Sequence, residues 1–221
     1  MTINFKPTKK QHEVFKLFED EKTTEILFGG GVGAAKTYLM GSLITIKCLQ
    51  YEGIRVGLCR NELTTLKKTT VVTLLSEVFP NFNLKKDEHY KYNPIDGKIT
   101  FYNGSEIVFQ ELRHIPSDPN YTRLGGLLLT FAVIDEAGET SSTGKEILQS
   151  RIGRWRNETY KLKPLLIMTC NPSRNFLYDD FYLADKEKRM PYYRKFVNAT
   201  GLDNPYLSES YIENLRRTLS P

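Results

Sequence analysis

The run Gly30-Gly31-Val32-Gly33-Ala34-Ala35-Lys36-Thr37 constrains this chain more than any other stretch. It matches the phosphate-loop pattern G-x-x-x-x-G-K-[ST] at every fixed position but one, and it lies where such a loop must lie. Upstream, Thr24 to Phe28 is a short β-rich run. Downstream, Tyr38 to Tyr51 carries Leu39, Met40, Leu43, Ile44, Ile46 and Leu49, too long for a strand and suited to a buried helix. Strand, glycine loop and helix together turn backbone N–H groups inward and present the positive end of a helix to an anion. Gly30, Gly31, Gly33, Ala34 and Ala35 then form a cradle for ATP, Lys36 reaches its β- and γ-phosphates, and the Thr37 hydroxyl is a ligand for Mg²⁺. Ala35 is the departure: where glycine is usual, it adds a methyl group and restricts the backbone. Taken alone, the loop also fits a tight turn that binds nothing.

With 221 residues, 40% hydrophobic and 26% charged, the chain has enough apolar material for one large domain, which excludes a disordered or collagen-like polymer. Lys plus Arg number 31 against 26 Asp plus Glu, a mild basic excess that permits a polyanionic partner without requiring one. Cys48, Cys59 and Cys170 are few and far apart, which argues against a disulfide framework and for a reducing compartment. The longest apolar run, Leu127 to Ile134, is far short of the roughly 20 residues that span a bilayer, and the N-terminal MTINFKPTKKQ lacks the apolar core of a secretory signal. A cytosolic protein with no membrane contact is expected. His12, His89 and His114 are isolated from one another and from any cysteine, so no metal cluster is expected from them.

His12 to Phe18 places Val14, Phe15 and Phe18 at helical spacing ahead of the first strand. Ile54 to Cys59 reads as a second strand, and Glu62 to Phe79 as a helix stopped by Pro80, whose ring cannot continue it. Asp96-Gly97 and Asn103-Gly104 mark turns around Lys98 to Tyr102 and Glu106 to Glu111, the second predicting a β-hairpin. Leu127 to Ile134 then reads as a fully buried strand, Lys145 to Ile152 as a helix and Pro164 to Cys170 as another buried strand. Phe176 to Ala184 is a short helix, Tyr192 to Asn198 a last strand and Ser208 to Leu219 a terminal helix. The alternation predicts an α/β fold, a mostly parallel sheet with helices on its faces.

The strand predicted at Leu127 to Ile134 runs straight into Asp135-Glu136. Two acids there reach the carboxyl edge of a parallel sheet, where open α/β folds bind ligands. Asp135 is the expected Mg²⁺ ligand, directly or through water, and Glu136 the group that orients and deprotonates an attacking water. A solvated acidic turn explains the pair by itself; beside the glycine loop the catalytic reading is favoured. Leu165 to Cys170 leads likewise into Asn171-Pro172, and Thr169 and Asn171 could sense a γ-phosphate, although by spacing alone a strand-terminal turn is the simpler account. Gln11, about one helix ahead of the loop, offers an amide that matches the donor and acceptor of the adenine edge, and Phe5 a ring to stack on the base. A polar helix residue accounts for Gln11 equally well.

In this order the elements resemble the ATPase domain of the large terminase subunit of tailed bacteriophages, the motor that packages DNA into a procapsid. The resemblance spans nearly the whole chain. It rests on Lys9-Lys10-Gln11, the glycine loop, Arg60 after the second strand, Val133 to Ala137 and Met168 to Pro172. Most specific is Thr200-Gly201-Leu202-Asp203-Asn204-Pro205-Tyr206-Leu207 with the helix behind it. It implies a RecA-like P-loop core over residues 1–200, with the first 20 residues binding adenine, and the start of a lid or linker subdomain at 201–221. It implies Mg²⁺ and ATP as cofactors, Glu136 as catalytic carboxylate, and Thr169 and Asn171 as the groups coupling hydrolysis to movement. The partners it implies are double-stranded DNA, the portal protein and the small terminase subunit, in a homo-oligomeric ring on the procapsid in the host cytoplasm, the isolated domain being a monomer.

Two other readings share the first motifs, a helicase-like nucleic-acid-dependent ATPase and a nucleotide-gated assembly module with little turnover. A helicase motor carries a second RecA-type domain for which 221 residues leave no room, and binding alone does not need Glu136. Val32 stands where many terminases have an arginine, so a charge for the transition state must come from elsewhere. Arg123 matches the region from which related ring motors offer an arginine to a neighbour's nucleotide, and Arg60 is the second candidate. No cluster of metal-binding carboxylates follows, so neither a nuclease domain nor DNA cleavage is expected of this chain. Arg151, Arg154, Arg156, Lys161 and Lys163 around Trp155 form a basic stretch that suits phosphate contact, a neighbouring subunit or plain solvation.

Overall fold

The computed structural model describes residues 5–219, and the α/β expectation holds as one eight-stranded sheet. The first half of the chain supplies α1 (Lys9–Glu19), β1 (Glu25–Gly30), α2 (Lys36–Gln50), β2 (Arg55–Arg60), α3 (Leu63–Lys68), α4 (Thr70–Thr73), α5 (Phe79–Asn81), β3 (Tyr90–Asn93), β4 (Lys98–Phe101) and β5 (Glu106–Glu111). The second half supplies β6 (Phe131–Ile134), α6 (Ser142–Gln149), α7 (Asn157–Tyr160), β7 (Leu166–Cys170), α8 (Ala184–Lys186), β8 (Arg194–Ala199) and α9 (Glu209–Leu219). The strand order is β3-β4-β5-β2-β6-β7-β1-β8. Pairing is parallel from β5 to β8, and β3 and β4 join as an antiparallel flap through turns at Asp96-Gly97 and Asn103-Gly104.

Because helices cover both faces, the central strands are apolar on both sides. Ile26 and Phe28 of β1 enter one core with Leu39, Leu43, Phe79 and Phe131, while Leu27 between them enters the other with Ile134, Leu148 and Met168. β7 lies between the loop-bearing β1 and the acid-bearing β6, so all three carboxyl ends open on one edge of the sheet. That edge is where ligands bind in such folds.

Three expectations need correction. The apolar run from Leu127 enters the sheet only at Phe131: before it, Leu129 makes an isolated parallel bridge to Ile152, donating its N–H to the Arg151 carbonyl, and the Thr130 N–H donates to the Arg55 carbonyl. Leu129 and Thr130 are buried against the segment 151–154, to which they are hydrogen-bonded, while Leu127 and Leu128 before them are half-buried. The helix over 62–79 breaks at Thr69 (φ −119°, ψ −72°) and resumes as α4, a π-helical turn at Leu74–Val78 and α5. Pro80 does not stop it; the wider turn changes which carbonyl faces each N–H just where proline's ring would clash with an ordinary α-helix. Tyr178–Leu183 is likewise π-helical within the helix predicted at 176–184. β3 and α7 had no counterpart in the sequence reading.

Candidate nucleotide-binding site

The loop's shape follows from what its residues allow. Gly30 leaves β1 at φ 143° so close to β8 that a Cβ there would lie 1.5 Å from the Ala199 carbonyl oxygen. Gly33 adopts φ 86°, and Ala35, the N-cap of α2, adopts φ 54° and ψ 39°. Ala35 thus occupies a left-handed conformation that glycine adopts freely and alanine adopts at a cost of roughly 1–2 kcal/mol. The departure noted in the sequence falls at a strained position. Lys36 is buried, its Nζ donating to the carbonyls of Gly30 and Gly31 (3.2 Å each) and to Asn171 Oδ1 (2.7 Å). Burial pulls the Lys36 ammonium below its ordinary pKa against the opposing pull of Glu136, Cys170 and Asp135.

Asp135, at the end of β6, is 1% exposed and surrounded by hydroxyls. Thr169 donates to its Oδ1 at 2.8 Å, and Thr70 and Thr37 donate to its Oδ2 at 2.5 and 3.4 Å. Thr169 Oγ1 also accepts from the Glu136 N–H (3.1 Å), fixing the turn that holds Glu136 at φ 49°. The Glu136 carboxylate accepts from the Asn171 backbone N–H (3.3 Å) and from Asn171 Nδ2 (3.0 and 3.1 Å). Burial raises the Glu136 pKa, Lys36 opposes the rise and Asp135 adds to it. Asn171 therefore joins the loop lysine to the acid, and Thr169 joins both acids. The Thr37 hydroxyl and the Asp135 carboxylate, adjacent and both hard oxygen donors, suit Mg²⁺.

Lys36, Thr37, Glu136 and Asn171 line one end of a cleft of about 660 Å³ that runs past Ala35 to Tyr38, Phe5 and Tyr206, with Asp135 buried behind them. Phe5 lies at the far end, its ring stacked near Phe82 (centroids 6.1 Å, 28°). Gln11 does not face the cleft. As the third residue of α1 it completes a capping box, accepting from the Thr8 N–H (2.9 Å), and its Nε2 donates to the Ala35 carbonyl at 3.4 Å, so the amide braces the loop from behind. Ala34 and Gly33 line the cleft, whereas Gly30 and Gly31 contribute carbonyls to Lys36.

Neither arginine reaches the cleft of its own chain. Arg60 donates to Glu139 (3.3 and 3.2 Å) and Thr69 (3.0 Å). Arg123 donates to Asp118 (2.7 Å) and lies 4.7 Å over the Tyr121 ring. Hydrogen bonds from Thr122 and Arg123 hold the Asp118 carboxyl down at about 2. Of the basic stretch around Trp155, Arg151 donates to the Gly125 carbonyl and Arg156 to that of Glu52, and Lys163 pairs with Asp20. Those three staple the amino edge of the sheet, leaving Arg154 and Lys161 to solvent.

Two contributors were missed. Thr70 sits on a helix that the sequence presented as one apolar-spaced segment, and no local pattern marks its hydroxyl. Asn204, within the quoted Thr200 to Leu207 motif, donates to the Gly33 carbonyl at 2.8 Å, while Leu207 and Tyr211 crowd Gly33. The closing segment lies directly on the glycine loop.

The phage terminase large subunit family model matches residues 21–219. The chain belongs to that family. Among solved structures, the large terminase of a thermophilic bacteriophage superposes with a TM-score of 0.74 at 16% identity, over 98% of this chain and 51% of that one. The large terminase ATPase domain of Thermus phage P74-26 gives 0.65 at 13%, over 99% and 90%. The bacteriophage Phi-29 viral genome packaging motor assembly gives 0.51 at 15%, over 80% and 50%. At such identities the likeness establishes the fold. The terminase chain spans about half the length of its thermophilic phage relative. No curated protein matches the sequence. Among the described residues no helix is long and apolar enough to cross a membrane.

Proposed function

We propose that this terminase chain is an ATP-hydrolysing motor domain that drives double-stranded DNA into a procapsid as one subunit of a ring. The observation that carries the reading is the continuous polar chain from Lys36 through Asn171 to Glu136, beside the Thr37–Asp135 pair. A structure solved with ADP is known for the thermophilic phage terminase of the same fold. In the proposed mechanism the glycine loop and Lys36 bind the phosphates, and Asn171 releases Lys36 to them. Thr37 and Asp135 would hold Mg²⁺, which when bound would neutralise phosphate charge. Glu136, its basicity raised by burial, orients water and takes its proton. Loss of the γ-phosphate frees Lys36 to return to Asn171, and that exchange shifts β7 relative to β1, coupling hydrolysis to movement through Thr169 and Asn171.

Arg60 is tied beside its own acids, whereas Arg123 lies on a loop away from the cleft. Arg123 is therefore the residue assigned to a neighbouring subunit's nucleotide, with Asp118 holding it until that contact forms. The portal protein and small terminase subunit follow as partners from the packaging role, and the host cytoplasm as its setting. The test is Mg²⁺-dependent ATP turnover at several protein concentrations, with and without duplex DNA, beside Glu136→Gln, Lys36→Ala and Arg123→Ala. Turnover rising faster than linearly with protein and lost in Glu136→Gln is expected. ATP binding with no turnover above Glu136→Gln at any concentration would replace the motor with a nucleotide-gated module.

A further inference from the structure

One wall of the cleft has no role in the chemistry above. The helix formed by α4, the π-helical turn and α5 begins at the metal end, where Thr70 donates to Asp135. It ends at the opposite end, where Asn81 donates to the Tyr38 hydroxyl (2.8 Å) and Phe82 stacks near Phe5. Thr73, Glu77 and Asn81, four residues apart, line the cleft between those points. A nucleotide with its phosphates on Lys36 and its base toward Phe5 and Tyr38 brings its sugar to the middle of this wall. There stands Glu77, on the π-helical turn Leu74–Val78, a geometry frequent at functional sites. Among the described residues no hydrogen bond or ion pair engages its exposed carboxylate.

A carboxylate only accepts hydrogen bonds and repels phosphate, so its ligand must bring donors. At mid-nucleotide the donors are the sugar hydroxyls. Resting on the nucleotide-binding reading above, we propose that Glu77 accepts hydrogen bonds from the ribose 2′ and 3′ hydroxyls and thereby selects ribonucleoside triphosphates. Calorimetric binding of ATP, 2′-deoxy-ATP, 2′,3′-dideoxy-ATP and inosine triphosphate to the wild type, Glu77→Ala, Glu77→Gln and Lys36→Ala tests this. The wild type is expected to bind dideoxy-ATP roughly tenfold to a hundredfold more weakly than ATP, the range for hydrogen bonds to a charged group. Glu77→Ala should bind both equally, at the weaker affinity, with KM raised and kcat within about twofold because Glu77 touches no phosphate. Glu77→Gln, keeping one acceptor, should fall between. Equal wild-type affinity for ATP and dideoxy-ATP, or discrimination that survives Glu77→Ala, would overturn the proposal. So would a Glu77 effect confined to inosine triphosphate, which would move the contact to the base. A wild type that binds no nucleotide, like Lys36→Ala, would instead overturn the nucleotide reading itself.

Discussion

At the carboxyl edge of the parallel strands, Ala35 and Glu136 sit in left-handed backbone, and Lys36, Asp135 and Glu136 share one short chain of hydrogen bonds. At the amino edge, Glu25 at the start of β1 is saturated by Lys145 (2.8 Å), Gln149 (2.7 Å) and Arg194 (3.0 Å), and none of these four residues is in left-handed backbone. Both edges bury charge, and both hold left-handed residues, Arg156 (φ 57°) and Lys161 (φ 52°) lying at the amino edge, but only at the carboxyl edge does a member of the charged cluster itself, Glu136, occupy one. Conformations of that kind persist when the surroundings over-determine them. The saturated edge ties α6 to β1 and β8, the two strands that lead into the glycine loop and its closing segment. One end of the sheet is built for stability so that the other can hold groups that rearrange.

The largest expected effect separates the edges by activity. Glu136→Gln should lower ATP turnover by roughly 10²- to 10⁴-fold, the usual contribution of a general base, while thermal unfolding stays where it was. A large loss of stability in that variant would erase the contrast. Lys145→Met should do the reverse, leaving buried Glu25 with only Gln149 and Arg194 and lowering stability in urea unfolding by about 2–3 kcal/mol, with ATP affinity kept. Acidity sharpens the same division. Burial works to raise the Glu25 pKa, but Lys145 and Gln149 bring it below the ordinary 4.5, so its stabilising contribution is present above that value and fades as pH falls through the lower folded value. Glu136 is shifted upward, so turnover should fail first on acidification, at a pH above 4.5 where the fold is intact. Parallel pH series of turnover and of urea unfolding check the order. The smallest effect is Ala35→Gly, which relieves left-handed strain but frees the unfolded chain; a net gain of up to about 1 kcal/mol in thermal unfolding is expected.

The loop and both acids were legible because each sits at the end of an apolar run, and a parallel sheet brings such ends together whatever their separation in sequence; Thr169 and Asn171 end such a run too, but their spacing equally suits a turn and only the terminase resemblance singles them out. Gln11 was legible only as a polar residue near the loop. Its amide turns inward because Thr8 caps α1 three residues before it, a local bond that the adenine reading left out. The strand before Asp135 starts later than its apolar run because Leu129 pairs with Ile152 of a neighbouring loop rather than with a strand of the sheet. Thr70 and Glu77 escaped because the helix that carries them changes its winding midway, which disrupts the periodicity by which a face is recognised.

β1 lies between β7 and β8, and these neighbours are complete only when residues 170 and 199 have been made. At ribosomal rates of ~5–20 residues per second, the strand bearing the glycine loop waits roughly ten to thirty seconds with both its edges unpaired. Nucleotide therefore cannot guide the early folding of the nascent chain. The site is completed only after residue 204 has been made, when Asn204 emerges to meet Gly33.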